Sequence, residues 1–201
     1  MLAGTTAVVG EANMGEAHLW TWEDIVHLPE TEQPEIIGGR PFARATPRGT
    51  HGRIVGKLYA QVDRADGVGL RDGWWISIDP CVRLSPHAIV GPDLAGWRKA
   101  NLPELPDDWP LDVRPDWVCE VLSPGNAHYD RNTKAQLYAS AGIPWYWLVD
   151  PTERYVEVLE LDADKWRIHG CFAEGEVPVL PPFGEFAIDV GQLFLPRKPA
   201  V

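Results

Sequence analysis

A carboxylate in the middle of an apolar strand constrains this chain more than any other feature. Residues 116–151 read DWVCEVLSPGNAHYDRNTKAQLYASAGIPWYWLVDP. Trp117, Cys119 and Val121 alternate onto one face of a strand, and Val118, Glu120 and Leu122 onto the other. Both faces are mostly apolar, so the strand is expected to be covered on both sides. Glu120 lies between apolar neighbours on its own face. A carboxylate there is costly unless a cation, a metal or hydrogen-bond donors pair it.

Ser123-Pro124-Gly125-Asn126 then forms a turn. A helix is expected from His128 to Ala141, stopped by Gly142 at its C′ position. Lys134, Leu137, Tyr138 and Ala141 share one of its faces. Ile143 to Val149 is a second apolar strand, closed by Asp150-Pro151. Upstream, Thr21 to Leu28 reads as a short helix, with Thr21 as N-cap and Asp24 completing a capping box. Residues 34–44 read as a hairpin turning at Gly38-Gly39. Residues 50–63 read as an amphipathic helix, with Ile54, Leu58 and Val62 along one stripe.

Short strands are expected over 74–78 and 81–84, and a third over 88–96. Pro92 cannot donate a ladder hydrogen bond, so the third strand is irregular or at an edge there. That places Asp93 at a local break in the sheet. The Pro- and Asp-rich segment between Arg98 and Arg114 reads as a surface loop. Downstream, 155–161 and 165–172 alternate as a meander, 177–180 adds an edge and 188–194 a closing helical turn.

A chain of 201 residues fits one domain with a core that needs no staples. The division expected is a disordered leader over 1–17, a single domain over 18–196 and a loose tail over 197–201. The leader lacks the basic start and apolar block of a signal peptide, and no apolar run reaches membrane-spanning length. Cys81, Cys119 and Cys171 fit neither a zinc spacing nor a disulfide framework, so a reducing cytoplasm is the default. The net charge of −11 opposes nucleic-acid binding unless a local basic patch and a metal overcome the field. Most of the ten tryptophans are expected to fill core and rim.

The candidate constellation is Asp93, Glu120 and Lys134, with Glu35 as an outer member. Two carboxylates on neighbouring strands can converge on one Mg²⁺, which prefers carboxylate and carbonyl oxygen and keeps several waters. Such an ion stabilises developing phosphate charge and sharpens a bound water, which a lysine can orient. The spacing brings Asp93 and Glu120 together only if their strands pair. A plainer reading makes Asp130 and Lys134 an exposed ion pair four residues apart on one helix, and Asp93 a turn residue. His51 sits in a helix's first turn, where it serves equally well as a capping or surface residue. Arg131 reads as an exposed helix arginine. Trp145 and Trp147 read as core and rim, not as base-stacking platforms. Ser123 lacks the elbow of a nucleophilic serine.

These residues match a known pattern. GPDLAGW, then RPDWVCEVLSPGNAHYDRNTKAQLYASAGIPWYWLVDP, with the hairpin EIIGGR and a helix opening at His51, resembles the Uma2 family, also called DUF820. The resemblance runs from about Thr21 to Phe194. It implies an α/β restriction-endonuclease-like fold of the PD-(D/E)XK type: a mixed central sheet flanked by helices. It implies Asp93, Glu120 and Val121 as ligands of Mg²⁺, or of Mn²⁺ in its place. It implies Asp93, Glu120 and Lys134 as catalytic residues, with Glu35 and His51 as outer members of the site. Leu122 stands where that superfamily places its lysine, and Lys134 on the next helix is the candidate for a migrated one. The expected function is metal-dependent hydrolysis of nucleic acid by a homo-oligomer, most simply a dimer. The alternative is an inactive oligomeric binding module of the same fold. A carbohydrate hydrolase would need two carboxyls across a cleft and no metal.

Overall fold

The computed structural model describes residues 18–44, 49–67, 73–184 and 186–197. The expected leader, and the tail beyond residue 197, lie outside the described residues. Two sheets organise the chain. The smaller contains β1 (Glu35–Ile37), β2 (Arg40–Phe42), β4 (Val82–Ser85) and β5 (Ala88–Val90), in the order β2-β1-β5-β4 and antiparallel throughout. The larger contains β3 (Trp74–Ile78), β6 (Leu94–Arg98), β7 (Trp117–Val121), β8 (Trp145–Asp150), β9 (Tyr155–Asp162) and β10 (Lys165–Ala173). Its order is β10-β9-β8-β7-β6-β3. Only β7 and β8 run parallel, with Glu120 opposite Leu148, so that sheet is mixed.

A parallel pair cannot be joined by a hairpin; it needs a crossover, usually helical. The segment between β7 and β8 supplies it, ending in α2 (Ala135–Ser140). Gly142, at φ 72°, ends the helix, and Ile143 N–H reaches back to the Tyr138 carbonyl at 3.0 Å. The other helix, α1 (Gly49–Val62), lies on the opposite face of the sheet. Its Ile54, Val55, Leu58 and Val62 pack with Trp117, Cys119 and Val121. Val118 and Leu122 face Ala135 and Tyr138 instead. The alternation in the sequence therefore divides β7 between two cores, and Glu120 points to the α2 side.

Pro92 marks a change of sheet. β5 ends at Val90 in the smaller sheet and β6 begins at Leu94 in the larger one. Gly91-Pro92-Asp93 is the crossing, at a position where proline could not have continued a ladder. The second sheet is an addition to the single central sheet expected. Trp117, Trp147 and Phe183 meet edge to face, with ring centroids 5.0–5.6 Å apart, and close the α1-side core.

Three expected elements differ. The segment 21–28 forms only a 3₁₀ turn, Trp22–Asp24, though its capping box is present: Thr21 N–H donates to Asp24 Oδ2 at 2.7 Å. So short a segment cannot offset helix nucleation alone. The helix expected from His128 opens as a π-helical turn, Tyr129–Lys134, before α2. The expected edge strand at 177–180 is a single bridge, Val179 to Ala187.

Candidate functional site

The site forms where the two sheets meet, at the C-terminal end of β7. Glu120 is 3% exposed. The Lys134 ammonium donates to its Oε1 at 2.9 Å and the Tyr138 hydroxyl to the same oxygen at 2.7 Å. Lys134 and Tyr138 are four residues apart across the π-to-α junction, so both reach back over the strand from one helix face. The misplaced carboxylate of the sequence is thus paired twice.

Lys134 binds a second carboxylate, Glu35 Oε1, at 3.0 Å. Glu35 comes from β1 of the smaller sheet. The Gly91 amide donates to its Oε1 at 2.8 Å, and the Tyr129 hydroxyl to its Oε2 at 3.4 Å. Glu35 therefore holds the lysine as directly as Glu120 does. Asp93, on the crossing between sheets, lies beside this pair. Its Oδ2 accepts the Val121 N–H at 2.6 Å and faces His51 Nε2 at 3.1 Å. Val121 thus contributes an amide that orients Asp93. His51 approaches from the first turn of α1, and its Nδ1 is buried without a partner among the described residues.

The plainer reading of Asp130 and Lys134 as an exposed pair is corrected. Both are 5% exposed, and Lys134 is paired with Glu35 and Glu120 instead. The π turn carries Asp130 inward, where its backbone carbonyl accepts the Tyr146 hydroxyl at 3.1 Å. Arg131 leaves the cluster. It binds Glu157 Oε2 at 2.5 Å and the Tyr155 hydroxyl at 2.7 Å, tying the turn to β9. Trp147 is buried in the core and Trp145 half-buried, as their alternation indicated.

Electrostatics follow from this crowding. Burial pushes the Glu120 carboxyl well above the usual range; Asp93, Asp130 and Glu35 push the same way, and Lys134 opposes them. Burial likewise raises Asp130, to about 6, with Asp93 and Glu35 adding to it. Desolvation of the Lys134 ammonium is outweighed by Glu120, Glu35 and Asp130, so its proton is held more tightly than usual. The hydrogen bond to Asp93 raises His51. Four carboxylates therefore face one ammonium and one imidazole.

The donor chemistry suits a hard divalent cation. Asp93 Oδ1, Glu120 Oε2 and both carboxylate oxygens of Asp130 accept no hydrogen bond among the described residues. No three His, Cys, Asp or Glu side chains among the described residues are placed to grip one ion together. A site of one or two carboxylates completed by water is the arrangement Mg²⁺ ordinarily takes. Tyr138 was legible as a partner from its spacing to Lys134. Asp130 was not, because an Asp four residues before a Lys signals a surface pair.

The Uma2 family model, described as "Putative restriction endonuclease", matches residues 22–191. No curated protein matches the chain. Among solved structures, the crystal structure of "a putative nuclease belonging to DUF820" from Anabaena variabilis ATCC 29413 aligns with a TM-score of 0.70. The two are 20% identical over 87% of this chain and 97% of that one, a likeness of fold. No helix among the described residues is long and apolar enough to cross a membrane.

Proposed function

The chain belongs to the Uma2 family, and from that premise we propose that it is a divalent-metal-dependent nuclease that hydrolyses phosphodiester bonds in nucleic acid. One observation carries the reading. A buried carboxylate, Glu120, is locked by Lys134 and Tyr138 through one oxygen, its other oxygen accepts no hydrogen bond among the described residues, and Asp93 and Asp130 are close enough to raise its carboxyl further. A charge excess of this kind, inside an otherwise apolar layer, is stabilised by bound cations. Asp93 and Glu120 would hold Mg²⁺ or Mn²⁺, with water completing its shell. When bound there, such an ion would supply an activated water and offset charge on the phosphate. The Val121 amide and His51 fix the Asp93 carboxylate so that it faces the cluster. Tyr138 and Lys134 fix Glu120, and Lys134 places a permanent positive charge where phosphate charge develops. Glu35 positions Lys134, standing in for the strand lysine replaced by Leu122.

A second reading rests on that same lysine. Its ammonium is already held by two carboxylates, as in a catalytically silent fold that serves as a homo-oligomeric binding module in the cytoplasm. A panel of DNA and RNA substrates with Mg²⁺ or Mn²⁺ separates the two. The nuclease reading expects cleavage by wild type that is abolished in Asp93→Ala and Glu120→Gln. It fails if wild type and Asp93→Ala behave identically. A metal-induced rise in melting temperature that vanishes in Glu120→Gln counts against the silent module.

A further inference from the structure

Helix α1 starts at the site and carries an outward face that nothing else in the fold covers. His51 Nε2 lies 3.1 Å from Asp93 Oδ2, which fixes the first turn of the helix beside the cluster. Ile54, Val55, Leu58 and Val62 are buried against the sheet, and this sets the rotation of the helix about its axis. At about 3.6 residues per turn, Gly49, Gly52, Arg53, Gly56, Lys57 and Ala60 then lie on its outward side. A side-chain carbon built on Gly49, Gly52 or Gly56 would meet nothing of the fold within 4 Å, so the face is open.

The charge on this face is unspent. Elsewhere, basic side chains commonly sit against a carboxylate, as Arg83 does with Asp112 and Lys99 with Asp66. Arg53 and Lys57 have neither a carboxylate nor a hydrogen-bond partner among the described residues. They are four residues apart, so they are neighbours on the helix surface, about 6 Å apart along its axis. α1 contains no acidic residue, and Asp63 comes only after its last turn. The N-terminal end of the helix adds partial positive charge at the end nearest Asp93. In a chain of net charge −11, this is a local reversal of sign.

We propose that this face of α1 is the surface that holds double-stranded DNA, with Arg53 and Lys57 each neutralising one backbone phosphate. The identity of the ligand rests on the nuclease reading; the surface rests on the charges. A chain this acidic repels DNA over most of its surface, so contact concentrates where the field is locally positive. The face offers no aromatic ring on which an unpaired base could stack, which favours a duplex over a single strand. Phosphate contacts of this kind position a duplex without reading its sequence. His51 and Arg53 leave α1 on opposite sides, so Arg53 lies a helix diameter, roughly 10 Å, from Asp93. The two cations therefore hold phosphates that flank the reacting one, and they act on binding and not on the chemical step.

The test measures anisotropy of a short labelled DNA duplex with the full chain in EDTA, across a range of salt concentrations. Wild type should bind two duplexes of unrelated sequence alike, and the matching single strand more weakly. The double variant Arg53→Gln with Lys57→Gln should bind more weakly and lower the slope of log affinity against log salt by about two. Arg53→Lys should keep the wild-type slope. Gly56→Glu, which favours the helix but puts a carboxylate on the open face, should also weaken binding. Lys165→Gln removes an equal charge from β10 and should change nothing. An unaltered slope in the double variant, a loss in Lys165→Gln equal to that in Arg53→Gln, or a wild type that binds no duplex at low salt overturns the surface. Metal-dependent cleavage with KM unchanged in the double variant refutes the surface alone, whereas a raised KM at unchanged kcat supports it. Arg53-dependent binding without cleavage under any divalent cation supports the surface and refutes the nuclease reading.

Discussion

Replacing Asp130 with asparagine is expected to stabilise the metal-free protein. Burial first, and then Asp93 and Glu35, push the Asp130 carboxyl from 3.8 up to about 6, against the pull of Lys134 and His51. The folded value lies above the unfolded one, so the folded state keeps a proton that the unfolded chain has already released. Stability therefore falls as the pH rises from 3.8 to about 6 and remains reduced above that window. The difference amounts to about 3 kcal/mol at neutral pH. Asparagine cannot ionise, so Asp130→Asn gains up to about 3 kcal/mol near pH 7 and nothing below the unfolded value. Urea denaturation in EDTA, followed by tryptophan fluorescence across this pH range, measures the gain from the midpoint at unchanged slope. If the proposed metal-dependent reading holds, Mg²⁺ should raise the wild-type midpoint more than the variant's, because an ion held by the folded state would meet less charge in the variant. A variant no more stable than wild type at pH 7 refutes the reasoning. One that keeps the full wild-type pH dependence refutes it equally.

Lys134→Met leaves Glu35 and Glu120 buried without their shared ammonium and should cost about 3–5 kcal/mol. Glu120→Gln in the same chain should restore part of that loss, and strict additivity in the double-mutant cycle would show that the pair is not coupled. His51 should titrate above 6.5 by NMR, because its bond to Asp93 favours the imidazolium. Its contribution to stability is complete below that unfolded value and lost as the pH rises through the folded one, and Asp93→Asn should move the midpoint down. Phe183→Ala removes the ring against which Trp74, Trp117 and Trp147 pack. It should cost about 3–5 kcal/mol by urea denaturation; a loss below about 1 kcal/mol would mean that the core collapses to fill the space.

The sequence by itself determined the local geometry. Period-two alternation told which faces of β7 are buried and that Glu120 needed a partner. Pro92 told that the chain breaks before Asp93, and the spacing of Lys134 and Tyr138 placed both on one helix face. These signals are carried by side-chain type within a single element, where the backbone repeat translates spacing into direction. Tertiary structure alone decided the rest. It seated Glu35, from a different sheet, on the Lys134 ammonium. Through a π turn that no residue pattern announces, it turned Asp130 from a surface residue into a buried acid. It placed the Gly91 and Val121 amides on Glu35 and Asp93, and a backbone N–H has no residue identity to read. Contacts between elements far apart in the chain depend on how the sheets pack, and a local spacing rule has no access to that.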